Sequence, residues 1–141
     1  CFFEATAASV GRGTDLQFQV VGAPGFPAGD YTFTPEPKPG ARHPKHQGLP
    51  CRGWNLSGLP VAELRRDTAL RLHYLLDFFA AYEPRDGFFL RSDFFDKLAG
   101  TDSLRLQLLR GATEEEIRRS WAPTLRAFKA QRRRYLLYPE D

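Results

Sequence analysis

Cys51-Arg52-Gly53-Trp54-Asn55-Leu56, the break Ser57-Gly58-Leu59-Pro60, and then Val61-Ala62-Glu63-Leu64 running on toward Tyr82 form the stretch over which this chain changes its period. Before Pro60 the residues follow an extended pattern, with Gly53 marking a bulge or a close approach of another backbone. After Pro60, Leu64, Thr68, Leu72, Leu75, Phe79 and Tyr82 recur at three- and four-residue steps. That spacing predicts a long amphipathic helix over 61–82. Strands before the boundary and helices after it predict an α+β fold: a small mixed β-sheet from the strand-rich residues 1–60, packed against the helices of 61–141. At 141 residues and 16.0 kDa the chain is one domain's worth, long enough to enclose a core.

Working back from Cys51, the first feature is a stretch with five prolines from Pro35 to Pro50 plus Gly40 and Gly48, which excludes regular structure. Loops of this length inside a compact domain are often functional. This one carries Lys38, Arg42, His43, Lys45, His46 and Gln47. Further back, Tyr31-Thr32-Phe33-Thr34-Pro35 and Leu16-Gln17-Phe18-Gln19-Val20-Val21 read as strands, the latter stopped by Gly22-Ala23-Pro24-Gly25. At the N-terminus the apolar, strand-like Cys1-Phe2-Phe3 delivers one carboxylate, Glu4. The Gly11-Arg12-Gly13-Thr14 turn that follows offers a guanidinium, a hydroxyl and freely oriented backbone amides. Such a turn is either a polar surface turn or the rim of a site.

Working forward, Pro84-Arg85-Asp86-Gly87 ends the long helix. Ser92 or Asp93 begins a short helix through Leu98 before Gly100, and 102–110 forms another, closed by Gly111. Thr113 with Glu116 is a capping box, and the acidic run Glu114-Glu115-Glu116 suits a helix N-terminus. Ile117, Trp121, Leu125 and Phe128 make one apolar face of the last helix, which Pro123 is expected to kink or divide. The apolar Tyr135-Leu136-Leu137-Tyr138-Pro139 is expected to pack as a strand or extended arm. Phe78, Phe79, Tyr82, Phe88, Phe89, Phe94 and Phe95 are read as core.

A hydrophobic content of 42% and a charged content of 26% exclude the disordered and membrane classes. No apolar run approaches the ~20 residues that cross a bilayer, and no signal peptide opens the chain. It begins on Cys-Phe-Phe without a methionine, as a fragment of a larger protein would. Net charge is +3 with a pI of about 9.1, a mild excess compatible with acidic partners. Its densest run, Arg132-Arg133-Arg134, reads as a solvated helix end. Cys1 and Cys51 permit one disulfide at most, and are expected near one another as a free, buried pair.

His43, His46 and Cys51 match no familiar zinc spacing, so neither a metal nor another cofactor is expected. There is no Gly-x-Ser-x-Gly elbow. The strongest chemical candidate is Glu4, because glycosidic cleavage uses carboxyl groups in pairs. Asp15 and Asp30 are too loosely placed in sequence to nominate as its partner, so a second carboxyl is expected from outside this chain.

Together the motifs Cys1-Phe2-Phe3-Glu4, Gly11-Arg12-Gly13-Thr14, Gly22-Ala23-Pro24, Phe33-Thr34-Pro35, Lys45-His46-Gln47-Gly48 with Cys51 and Gly53, Leu98-Ala99-Gly100-Thr101, Ser120-Trp121 and Tyr135-Leu136-Leu137-Tyr138-Pro139 resemble the C-terminal part of the NamZ-type exo-β-N-acetylmuramidases. The chain departs from that family's usual residues at Ala5 (Gly), Val10 (Glu) and His46 (often Tyr). The resemblance implies the smaller subdomain of a two-subdomain glycoside hydrolase, with a Rossmann-like half elsewhere and the active site between them. It further implies release of N-acetylmuramic acid from non-reducing ends of peptidoglycan fragments, in the periplasm or outside a bacterial cell. On this reading Glu4 is catalytic, and Arg12, Gly13, Thr14, Lys45, His46 and Gln47 bind substrate, with no metal.

The expected partners are a muramyl saccharide and the Rossmann-like subdomain; neither nucleic acid nor a membrane span is expected. Arg12, with Lys45 as a second charge, is the candidate reader of the lactyl carboxylate, unless it ties its turn to Glu4 or Asp15. The alternative function is a non-catalytic module that binds an anionic glycan or nucleic acid.

Overall fold

A computed structural model of the chain describes residues 2–66 and 68–138. It is an α+β domain in which a three-stranded sheet packs against helices. Strands β1 (Val20–Ala23), β2 (Tyr31–Phe33) and β3 (Cys51–Asn55) lie in the order β1-β3-β2. Both pairings are antiparallel, with Val20 opposite Asn55 and Phe33 opposite Cys51. The sheet is thus antiparallel throughout, where a mixed one was expected. The proline-rich connection returns the chain between β1 and β2, so the two strands that run the same way never touch.

The close approach signalled by Gly53 is real. A Cβ there would stand 1.9 Å from the Val21 carbonyl oxygen. β1 is displaced from the strand expected over 16–21: Phe18, at φ 62°, turns the chain, the Gln19 amide closes that turn by donating to the Leu16 carbonyl at 3.0 Å, and the strand runs on through Gly22 and Ala23, which were expected to stop it but pair with Gly53 and Arg52.

The first residues form a 3-10 turn, Phe2–Ala5, instead of a strand. Thr6 explains this: its amide and its hydroxyl both donate to the Phe3 carbonyl, at 3.1 and 2.9 Å, and curl the chain. Residues 5–9 then run buried through the domain. On one side the Ser9 amide donates to Gly22 of β1 at 2.7 Å. On the other the Ala7 amide donates to Phe88 at 2.7 Å, and the Leu90 and Arg91 amides both donate to Ala5. Ala5, Thr6, Ala7, Ala8 and Ser9 are all buried, and only small side chains fit a segment enclosed on both sides.

The long helix expected over 61–82 is two helices, α1 (Val61–Arg66) and α2 (His73–Ala81), with residues 68–72 non-helical. No residue of α1 is buried, whereas Leu72, Leu75, Phe78 and Phe79 all are. The apolar period continues across a break because only its second half has a core to meet. Phe78 is the centre of that core, stacked on Phe26 with centroids 4.0 Å apart and met edge-on by Phe3 and Trp54.

Helices α3 (Ser92–Ala99) and α4 (Ser103–Leu109) follow, with Gly100 in the left-handed region at φ 74° capping α3. Arg105 grips Asp96 through two bonds of 2.9 and 2.7 Å and joins them. Helix α5 (Glu114–Arg132) opens on the capping box Thr113/Glu116 and continues undivided through Pro123, at an exposed turn where water can take the carbonyl that the missing N–H leaves. Its apolar face begins in the core at Ile117, but Leu125 and Phe128 are 46% and 55% exposed. The tail forms a 3-10 turn, Arg133–Tyr135, and then carries Leu137 and Tyr138 at 90% and 81% exposure, so the expected strand or packed arm is not made up to residue 138; Pro139 lies outside the described residues. Cys51 is wholly buried, and its expected neighbour Cys1 also lies outside them.

Candidate functional site

The buried segment 5–9 is flanked by two exposed side chains, Glu4 before it and Arg12 of the Gly11–Thr14 turn after it, and side chains of the proline-rich loop bond to the backbone between them. Between them is an open cleft of ≈ 380 Å³. Glu4, Arg12, Arg42, His43, Lys45 and Phe94 supply its functional groups, with Ser9 and Val10 on its floor. The cleft unites residues about forty positions apart because side chains of the loop bond to the backbone of the first segment. Lys45 Nζ donates to the Ala8 carbonyl at 3.0 Å, to that of Thr6, and more weakly to that of Glu4 at 3.4 Å. His46 Nε2 lies 2.6 Å from the Ala7 carbonyl, and since a carbonyl only accepts, Nε2 carries the hydrogen.

Consecutive residues of the loop therefore hold alternate sides of residues 4–8. Burial pushes the Lys45 ammonium below its ordinary pKa, with Glu4 partly opposing the shift. All three ammonium hydrogens have a carbonyl to point at, so Lys45 adds positive charge to the cleft while its donors serve the protein.

Arg12 also reaches the loop. Its Nη2 donates at 2.8 Å to the carbonyl of Gly40, at the tip of a turn closed by reciprocal bonds between Lys38 and Ala41. Its partner is neither Glu4 nor Asp15, the latter being paired with Lys38. Gly13, at φ 88°, lies beneath this turn, where a Cβ would stand 2.6 Å from the Glu36 carbonyl and 2.8 Å from Pro44. Thr14 closes the Gly11–Thr14 turn, its hydroxyl donating to Gly11 at 2.7 Å and accepting from the Leu16 amide at 3.0 Å.

Of the residues singled out in the sequence, Glu4, Arg12 and Lys45 thus share the cleft. Gly13 and Thr14 shape the turn beside it, His46 bonds behind it, and Gln47 is exposed outside its lining. Arg42, His43 and Phe94 were not assigned to a site. The first two follow Gly40 in a loop already rich in cations, but no local pattern marked which of them faces inward. Phe94 belongs to the aromatic run taken as core; it is half-buried, packs on the core and also lines the cleft, with the Arg91 guanidinium 4.8 Å from its ring centroid. Among the described residues no three His, Cys, Asp or Glu side chains are grouped to hold a metal ion.

These features define a small α+β domain that presents a solvent-open cleft with three cationic side chains around one carboxylate. The chain belongs to the family described as exo-β-N-acetylmuramidase NamZ, C-terminal, which it matches over residues 1–138. It is similar to the peptidoglycan β-N-acetylmuramidase NamZ of Bacillus subtilis (strain 168), at 32% identity over 96% of this chain and 35% of that one. It is also similar to a DUF1343 family protein of Bacteroides fragilis NCTC 9343, known from a crystal structure, with a TM-score of 0.89 and 40% identity over 100% of this chain and 39% of that one. The chain therefore spans little more than a third of the length of either relative. Its family is one of glycoside hydrolases that act on peptidoglycan. Among the described residues no helix is long and apolar enough to cross a membrane.

Proposed function

We propose that this chain forms one side of the active-site cleft of an exo-β-N-acetylmuramidase that releases N-acetylmuramic acid from the non-reducing ends of peptidoglycan fragments. The observation that carries this reading is the meeting of Glu4, Arg12 and Lys45 in one open cleft, in a chain of this family that matches about a third of its muramidase relative. The remainder of the cleft would come from a Rossmann-like subdomain. Such a substrate lies outside the cytoplasm, which makes the periplasm or the exterior of a bacterium the place of action.

Glycoside hydrolysis uses one carboxyl to protonate the leaving oxygen and a second to attack or to activate water. Among the described residues Glu4 is the only carboxylate lining this cleft, so in the proposed mechanism it supplies one of the two and the other subdomain the second. Arg12 adds a positive charge beside the substrate's lactyl carboxylate, with Gly13 and Thr14 shaping the turn that carries it. Lys45 and His46 act from behind, holding the backbone that aims Glu4.

Cleavage of a chromogenic muramyl glycoside tests the reading. The 141-residue chain alone should give no turnover above a Glu4→Gln control; activity of the chain by itself would refute the two-subdomain cleft. Joined to the N-terminal remainder, Glu4→Gln should lower kcat by roughly 10²- to 10⁴-fold, and an unchanged kcat would remove Glu4 from the chemistry. A non-catalytic module for anionic glycan or nucleic acid would instead bind without turnover, and its affinity for DNA would fall steeply and log-linearly with salt.

A further inference from the structure

The cleft holds three cationic side chains, and the contacts of two of them are already committed. Lys45 directs its ammonium at the carbonyls of Glu4, Thr6 and Ala8. Arg12 has placed one Nη2 on the Gly40 carbonyl. Arg42 lines the same cleft, is exposed, and makes no hydrogen bond or ion pair with any described residue.

Its backbone is nevertheless held on both sides. Upstream, the turn between Lys38 and Ala41 is closed on itself and tied to Arg12. Downstream, Pro44 is buried against Gly13 and Lys45 is fixed to the first segment. Arg42 is thus a free guanidinium on an anchored backbone, in a cleft where, among the described residues, Arg12, Arg42 and Lys45 are lined up with one carboxylate, Glu4. A planar fork with unused parallel donors is suited to a carboxylate, and the surplus of positive charge favours a ligand that brings one negative charge.

We propose that Arg42 is the specificity-determining residue of this cleft, pairing with the carboxylate on the ether side arm of an acidic amino sugar while Arg12 flanks it. This rests on the muramyl reading above and sharpens it: Arg42 supplies the selective contact, and the lysine that the sequence favoured as the second charge is a positioning residue. A neutral amino sugar with the same ring keeps every other contact and loses this one, so selection appears as a ratio of affinities.

The test is a titration of the isotopically labelled 141-residue chain, followed by amide chemical-shift changes, with N-acetylmuramic acid and with N-acetylglucosamine, which lacks the lactyl ether. The unaltered chain should bind the acidic sugar about tenfold more tightly, the worth of one charge-assisted contact at an exposed site. Arg42→Ala should bring the ratio near one with little change for N-acetylglucosamine, and Arg42→Lys should recover part of it. Arg42 is exposed and unpaired, so its variants should keep the dispersed amide spectrum of the folded chain, which the same experiment records. If the unaltered chain prefers the acidic sugar and Arg42→Ala keeps that preference, the assignment of Arg42 falls while the muramyl reading stands. If the unaltered chain binds the two sugars equally, both fall; if it binds neither, the same titration of the chain joined to its N-terminal remainder decides between these outcomes.

Discussion

Lys45 shows how one side chain can organise a site without touching a ligand. Its ammonium loses water on burial, which lowers its pKa, and gains three carbonyl acceptors in exchange. Lys45→Met tests which effect wins. If the bonds outweigh the lost hydration, the variant strands three acceptors and should be destabilised by about 2 kcal/mol in urea unfolding. A neutral or stabilising result would show that desolvation dominates. Cys51 carries a second residue-scale consequence. Burial pushes its thiol from 9.0 up to about 11, so the unfolded chain ionises first as the solution becomes alkaline. The associated stability is complete below pH 9.0 and is lost as pH rises toward about 11. Urea midpoints between those values should fall more steeply in the unaltered chain than in Cys51→Ala, and parallel profiles would count against the buried thiol.

At the scale of elements, the tightest constraint lies between β1 and β3. Gly53→Ala would force a methyl against the Val21 carbonyl and Gly22 Cα, which are backbone atoms of β1 with nothing flexible to yield. A loss of about 3 kcal/mol or more is expected in equilibrium unfolding. The capping box of α5 is sensitive to acid. The Thr113 amide donates to the Glu116 carboxylate at 2.8 Å and holds that carboxyl below its ordinary 4.5. The cap therefore contributes above pH 4.5 and is lost as pH falls further. Amide exchange in the first turn of α5 should accelerate on acidification in the unaltered chain and lose most of that dependence in Glu116→Gln.

The capping box, Gly100 and strands β2 and β3 were legible in the sequence because each is decided within a few residues, whereas β1 lies later than its alternating pattern and includes the Gly22 and Ala23 expected to end it. The break between α1 and α2 was not. Leu64 and Leu72 belong to one apolar period, yet the first is 43% exposed and the second wholly buried. Periodicity marks which face is apolar and says nothing of whether a core reaches it. The opening segment was misread for a related reason: its small residues record enclosure between β1 and the Phe88–Leu90 connection, a tertiary fact. The candidate site was half legible. Glu4 and Arg12 carried local cues, but Arg42 and Phe94 join them only through a loop and a helix placed by distant contacts.

For the molecule as a whole, packing is uneven. The aromatic core and the sheet hold the centre, while α1 and the distal part of α5 carry exposed apolar and basic side chains. Helices held mainly by their own hydrogen bonds are marginal at such lengths and open by local fluctuation. Trypsin must thread an unfolded segment through its active site, so digestion of the native chain should read out this unevenness directly. Arg65 and Arg66 on α1, and Arg126, Lys129 and Arg133 toward the tail, should be nicked early. Arg52 in β3 and Arg105, clamped to Asp96, should be cut only as the domain unfolds. Mass spectrometry of the first fragments decides the matter: early scission at Arg52 or Arg105 would mean that the centre, and not the periphery, opens first. On the expected pattern, digestion trims the periphery and leaves an enzyme-resistant kernel that still carries Glu4, Arg12 and Arg42 together.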